Sequence, residues 1–270
     1  MKKTISLLCL LFGLFVCVTA FSACGGDDES SSGVPPQSSK HVAKIITEEG
    51  SSYYESSFTY DSQGRVIKVT ETQSGTGTNS HSETEYQYGE MLIISKMKGE
   101  GTYSNGQSFT RTESHSYTLD NGRIVKDEEK QGSSLNSTSS SWTEIYSYDA
   151  NNYLSSMSET GSNIVSDTKK LTWSDGNLIK LGNRSFEYSN YPWVKGFPLY
   201  LKSSNMDANL FAIGYYGNIP KNLPSKTIAS ETSGYTYDYT FEGSYVTKVV
   251  ITPFVEDNKS HKSISTIIWE

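Results

Sequence analysis

Cysteine is nearly absent from the sequence, and two of its three cysteines lie in one apolar stretch near the N-terminus. Cys9 and Cys17 belong to that stretch, and Cys24 follows it closely. If the stretch is removed as a signal peptide, Cys24 alone remains, so no disulfide can form within the mature chain. No other thiol is then left for nucleophilic catalysis or metal binding.

Histidine is almost as scarce, and the motifs of common enzymes are missing. The four histidines, His41, His81, His115 and His261, have none of the short spacings that mark metal sites. We expect isolated surface histidines, with a metal site assembled from distant strands as the alternative. The sequence has no GxSxG elbow and no P-loop, and the segment 99–101 (Gly-Glu-Gly) is interpreted as a hairpin turn. We therefore predict no enzymatic activity, no cofactor and no bound metal.

A hydrophobic run long enough to cross a membrane is missing as well. The apolar run from Ile5 to Ala20 follows Lys2 and Lys3 and is shorter than the roughly 20 residues of a spanning helix. This pattern favours a secretory signal peptide over a transmembrane anchor. The next residues, Phe21 to Cys24, resemble the lipobox of bacterial lipoproteins, in which the cysteine becomes the acylated first residue of the mature protein.

The residues after Cys24 predict a sorting signal and a flexible tether. Gly25 and Gly26 precede three acidic residues, 27–29, which resemble the signal that sends lipoproteins of some Gram-negative gut anaerobes to the outer face of the outer membrane. A solvated linker is the alternative reading of these acids. We predict a lipoprotein signal peptide over residues 1–23, a lipidated Cys24 with a flexible Ser/Gly/Pro tether over 24–40, and one β domain over 41–270. The acyl chains would make the outer membrane the partner of the anchor.

The sequence has fewer basic residues than acidic residues. The chain has a formal net charge of −7, and loss of Lys2 and Lys3 with the signal peptide lowers it to −9. An acidic surface repels phosphate backbones, so we expect no nucleic-acid partner.

Helical periodicity is also missing, and a repeated β pattern takes its place. Aromatic and apolar residues alternate with polar ones, a turn of Asp, Asn or Gly follows, and a β-branched strand returns. The turns recur about every 25 to 31 residues through the first five of these units. The clearest copies are FTYDSQGRVIKV (58–69), SYTLDNGRIVKD (116–127), YSYDANNYLSSM (146–157) and LTWSDGNLIKL (171–181).

This pattern predicts an all-β antiparallel fold of repeated hairpins with little helix. About a dozen such strands must curl into a strongly curved sheet or close into a soluble barrel-like domain with an aromatic interior. A membrane barrel would need an unbroken apolar outer band, and strands such as 81–85 (His-Ser-Glu-Thr-Glu) do not supply one. Residues 186–230 break the rhythm with prolines and aromatics, which predicts long loops or a plug.

Two resemblances follow from these hairpins. The segment 60–66 (Tyr-Asp-Ser-Gln-Gly-Arg-Val) resembles a YD repeat of Rhs-type surface proteins. Residues 42–269, including the late segment 221–226, resemble a family of uncharacterised secreted lipoproteins from gut anaerobes with a porin-like fold. That resemblance implies a barrel-like antiparallel domain and supplies no catalytic residues.

The aromatic residues are the strongest functional signal. In the strands we interpret them as core packing. In the irregular region they could form a binding surface, since tyrosine and tryptophan stack on sugar rings and line pockets. We therefore expect a non-catalytic module that binds glycan or peptide, and the candidate residues are Trp193, Tyr191, Phe197, Tyr215 and Tyr216. The alternative is a carrier or sensor that holds a small apolar ligand inside the barrel. A hydrolase, which no motif supports, is a third and weaker hypothesis, and a purely structural role without any ligand competes with all of these.

Overall fold

The computed structural model describes residues 40–75, 77–161, 164–199, 206–255 and 262–270. The predicted signal peptide, the predicted lipidation site Cys24 and the tether up to residue 39 lie outside the described residues. Within the described residues, no helix is both long enough and apolar enough to cross a membrane.

The described residues form sixteen strands and one short helix. In chain order they are β1 (Val42–Glu49), β2 (Ser52–Tyr60), β3 (Val66–Ser74), β4 (Thr78–Tyr88), β5 (Leu92–Tyr103), β6 (Ser108–Asp120), β7 (Arg123–Ser133), β8 (Asn136–Tyr148), β9 (Leu154–Gly161), β10 (Ile164–Ser174), β11 (Asn177–Leu181), β12 (Arg184–Pro192), α1 (Ala208–Ala212), β13 (Asn222–Ser230), β14 (Ser233–Glu242), β15 (Tyr245–Val255) and β16 (Ser263–Trp269).

The strands form a closed up-and-down barrel. Each strand pairs with its neighbours in sequence, always antiparallel, and β1 pairs with β16 to close the sheet. At the seam, the N–H groups of His41 and Glu270 each donate to the carbonyl oxygen of the other residue, at 2.8 and 2.9 Å. Closure removes the sheet edges that an open sheet of this size would expose. The predicted all-β hairpin fold is confirmed, with more strands than the dozen expected.

Alternation along the strands separates a core face from a charged face. Tyr237 of β14 is buried inside the barrel, while its sequence neighbour Asp238 is exposed. On the outer face of β3–β5, Lys68 lies opposite Glu85, and Glu83 lies opposite Lys98. Opposite charges in such cross-strand positions stabilise the pairing of the strands.

Turn residues explain the repeat seen in the sequence. Asn121 and Gly122 between β6 and β7, and Asp175 and Gly176 between β10 and β11, all have positive φ. This is the conformation of two-residue hairpin turns, which asparagine, aspartate and glycine tolerate best. In the β2–β3 turn, the carboxylate of Asp61 accepts hydrogen bonds from the backbone N–H groups of Gln63 and Arg65.

The repeated aromatics at strand ends fasten neighbouring strands together. Each donates a side-chain hydrogen bond to a carbonyl oxygen of the preceding strand. The donor–acceptor pairs are Tyr60–Val42, Tyr88–Val66, Tyr148–Ile124, Trp173–Leu154, Tyr188–Leu178, Tyr239–Pro224 and Trp269–Val246. We call these seven contacts the aromatic ladder.

The segment between β12 and β13 closes one end of the barrel. Its described parts, residues 193–199 and 206–221, are named the plug here, and they contain α1. Backbone hydrogen bonds join the plug to the hairpin turns: Ile124 donates to Tyr215, Asn218 to Asn152, and Lys221 to Gly176. The plug therefore sits at the turn end of the barrel. The prediction of loops or a plug over 186–230 is too wide, because residues 186–192 and 222–230 belong to strands β12 and β13.

Candidate functional site

The structure buries most of the aromatic residues predicted to bind a ligand at the surface. Trp193, Phe197 and Tyr216 are 1%, 2% and 1% exposed and belong to the hydrophobic core. Tyr215 is half-buried, and Tyr191 is 49% exposed. The irregular region folds inward because its apolar side chains cover the aromatic inner face of the barrel.

The five aromatics also fail to form one platform. Trp193 and Tyr216 both pack on Phe211 of α1, with ring centroids 5.9 and 6.4 Å apart. Tyr191 lies against Phe241, with ring centroids 4.6 Å apart. Substituting Trp193 would therefore remove core packing, so it cannot test surface binding.

An apolar pocket lies inside the barrel beside the plug. It has a volume of about 260 Å³ and lies between the plug and strands β1, β15 and β16. The apolar residues around it include Phe197, Leu199, Val249, Ile251, Ile267 and Ile45. The predicted site residue Phe197 thus contributes to an interior pocket.

A second, polar cavity occupies another part of the barrel. It measures about 550 Å³, and its lining includes Tyr54, Glu71, Ser82, Arg111 and Glu113. Gly99 also lines this cavity. A side chain at this position would crowd Ser82, since its Cβ atom would come within 3.1 Å of the Ser82 Cβ atom. The segment 99–101 lies within β5, so its interpretation as a hairpin turn is wrong.

A compact charged group on β6 and β7 stands next to this polar cavity. His115 Nδ1 lies 2.8 Å from Asp127 Oδ2, and His115 Nε2 lies 3.1 Å from Glu113 Oε1. Glu129 Oε2 is 3.9 Å from the same Nε2. The expectation of an isolated surface histidine is therefore wrong for His115, whose side chain is only 13% exposed.

Neighbouring side chains fix the orientation of this group. Gln131 Nε2 donates to Glu113 Oε2 at 3.0 Å and to Glu129 Oε1 at 2.7 Å. These bonds occupy the oxygens that do not face His115, so the other oxygen of each glutamate is directed at Nε2. The ring of His115 stacks on Tyr117, with 5.3 Å between centroids and 3° between planes.

Burial and hydrogen bonding shift the pKa values within the group. Burial alone lowers the pKa of His115, but hydrogen bonds to Asp127 and Glu113 outweigh it and raise the pKa to about 10. The hydrogen bond with His115 lowers the pKa of Glu113 to about 2. Burial raises the pKa of Glu129 to about 7 and also raises the pKa of Asp127. The imidazole is thus held between carboxylates of unequal acidity.

Sequence reasoning missed the acidic members of this group. Glu113 and His115 are two residues apart on β6, and Asp127 and Glu129 are two apart on β7, so each pair shares one face of its strand. That spacing is the signal that could have found them. The spacing predicts a shared cluster only when the pairing of β6 with β7 is known.

The fold defines the class of this protein as a sixteen-stranded antiparallel barrel with a plug at one end. The family model described as "Domain of unknown function (DUF4595) with porin-like fold" matches residues 58–248, so the chain belongs to that family. This confirms the predicted family resemblance. The YD-repeat resemblance and the lipid anchor stay predictions.

The comparisons with solved structures and curated proteins add little more. A porin-like protein from Bacteroides vulgatus ATCC 8482 is similar over 84% of this chain and 98% of that chain, with 10% sequence identity and a TM-score of 0.42. No curated protein matches the chain.

Proposed function

We propose that the protein is a non-catalytic binding protein that carries or senses a small apolar ligand inside its barrel. The observation behind the proposal is the apolar pocket of about 260 Å³ between the plug and strands β1, β15 and β16. A concave, mostly apolar surface with a few polar groups is typical of small-molecule sites. Here Thr47 and Ser265, whose hydroxyl oxygens are 2.8 Å apart, supply polar groups at the wall.

Binding of glycan or peptide by the loop aromatics is the weaker of the two predicted activities. A stacking platform needs exposed ring faces, and Trp193, Phe197 and Tyr216 have none to offer. Tyr191 is exposed, but its neighbour Phe241 already packs against it. The interior pocket is therefore the better supported site.

We further propose that this barrel is held at the outer membrane by acyl chains on Cys24, with the domain in water. The outer face of β4 and β5 bears exposed charged residues, including Glu85, Lys96 and Lys98, which disfavour contact with lipid. We expect cells to incorporate labelled palmitate into the protein and the substitution Cys24→Ser to abolish the label. Equal labelling of both proteins would contradict the anchor.

A substitution that fills the pocket tests the proposed ligand site. Ile251→Trp places a larger side chain at the pocket wall, and Val250→Trp, at the next residue of β15 and directed to the other face, is the matched control. We expect a fluorescent naphthalene probe and saturated fatty acids to bind the wild type, and binding to weaken at least about tenfold in Ile251→Trp alone. Circular dichroism checks that both variants fold. Equal binding by all three proteins would exclude this pocket.

A further inference from the structure

We propose that His115, Glu113 and Glu129 bind a divalent transition-metal ion of the zinc type inside the barrel. One ligand atom from each residue lies within 4.8 Å of the others. The site is separate from the apolar pocket and does not depend on it. The sequence alone predicted no metal, because these residues share no short motif.

The distances between the donor atoms are compatible with a metal ion shared by the three side chains. Zinc binds nitrogen and oxygen at about 2.0–2.2 Å, so two ligand atoms of a tetrahedral site lie about 3.3 Å apart. The separations from His115 Nε2 are 3.1 Å to Glu113 Oε1 and 3.9 Å to Glu129 Oε2. The second distance is too long for a hydrogen bond and needs only a small adjustment to fit a shared ion.

Asp127 orients the histidine as a second-shell carboxylate does in known metal sites. Its Oδ2 accepts a hydrogen bond from His115 Nδ1 at 2.8 Å, which leaves Nε2 to face the two glutamates. A carboxylate behind a histidine fixes the tautomer and increases the basicity of the ligating nitrogen. Gln131 plays the same part for Glu113 and Glu129, since it holds their rear oxygens.

An unpartnered buried atom behind the histidine supports a functional role for this group. The carboxyl group of Asp127 is only 5% exposed, and its Oδ1 has no hydrogen-bond partner in the part of the chain that the structure describes. A buried carboxylate oxygen without a partner is costly, and a cost of this kind is typical of functional sites. The same carboxyl group already touches the ring of His115.

The chemistry of the donors selects the class of ion, and the polar cavity provides its entry. One imidazole nitrogen with two carboxylates suits zinc and similar ions, whereas calcium and magnesium prefer sites made of oxygen alone. Three protein ligands leave a fourth position for water. Glu113 lines the cavity of about 550 Å³, so an ion can reach the site from that side.

Calorimetric titration of the EDTA-treated protein with zinc chloride tests this site. We expect one zinc ion per chain, with affinity at least about 100-fold weaker in His115→Gln and Glu129→Gln. Asp127→Asn, which changes a positioning residue, is expected to weaken binding about 10- to 100-fold. His81→Gln is the control, because His81 is an exposed histidine of β4 opposite Glu100.

Cobalt absorption reports directly on metal coordination. A purely structural role of these side chains would not affect it. We expect cobalt to give visible absorption bands in the wild type and these bands to disappear in Glu129→Gln. Because this change is isosteric, it keeps the test valid even if His115→Gln fails to fold. Circular dichroism checks folding. Absence of saturable zinc binding, equal binding by Glu129→Gln, a preference for calcium, or loss of binding in His81→Gln would each overturn the proposal.

Discussion

At the scale of single residues, the aromatic ladder explains why the strand-end aromatics recur. The hydroxyl of Tyr148 donates to the carbonyl of Ile124 at 2.6 Å, and Arg123 lies over the same ring, 4.5 Å from its centroid. Burial raises the pKa of the Tyr148 hydroxyl far above its usual value, so it remains a proton donor wherever the protein is folded. The sequence indicated the alternation of these aromatics but not the acceptor of each bond.

Removing one hydroxyl of the ladder measures its contribution. We expect Tyr148→Phe to lower the free energy of unfolding by about 1–2 kcal/mol, because the carbonyl of Ile124 loses its partner while the ring and its contact with Arg123 remain. Urea denaturation gives this quantity. Tyr103→Phe, at an exposed position, is the control and is expected to stay within about 0.5 kcal/mol of the wild type. Equal losses in both variants would show that the ladder bond stabilises nothing.

At the scale of secondary-structure elements, the hairpins could be predicted and the exact strand pairing could not. The turn at Asn121 and Gly122 pairs Leu119 with Ile124, but a β-bulge then shifts the pairing so that His115 lies opposite Glu129. Without the bulge, His115 would lie opposite Glu128, and Asp127 and Glu129 would face outward. Because residues 127–131 are all polar, no hydrophobic pattern reveals the shift. The charged group therefore depends on one extra residue in β7.

The plug is held to the turns so closely that one of its glycines has no room for a side chain. At Gly217, where φ is +80°, a Cβ would lie 2.5 Å from the carbonyl oxygen of Asn152 and 3.0 Å from the Tyr148 ring. At Gly196, where φ is also +80°, a Cβ would meet nothing within 4 Å. The two positions thus share a backbone conformation and differ in their surroundings.

This difference gives a matched pair of substitutions. We expect Gly196→Ala to cost about 1 kcal/mol, the price of a left-handed conformation for alanine. Gly217→Ala should cost at least about 2 kcal/mol, since the plug must also move away from the turn. Urea denaturation of both variants checks the order. A smaller loss for Gly217→Ala than for Gly196→Ala would mean that the plug does not press on this turn.

At the scale of the whole molecule, the sequence predicted a strongly curved sheet or barrel with an aromatic interior, but neither the closure of the sheet nor the division of the interior. Along β15 and β16, inward residues such as Val249 and Ile267 are apolar, while along β6 and β7 they include His115 and Glu129. Phe197 of the plug, which the sequence places at a binding surface, instead helps to complete the apolar side. Which face of a loop is buried depends on tertiary packing, and residue composition alone cannot reveal it.

Locating a bound ligand in a crystal decides whether the binding site lies inside the barrel or on its surface. We would soak crystals of the protein with a bromine-labelled fatty acid and locate the bromine by its anomalous scattering. We expect a peak inside the barrel between Phe197 and Ile251, where the apolar pocket lies. A peak over the exposed ring of Tyr191, or binding in solution without any peak in the interior, would contradict a ligand site inside the barrel.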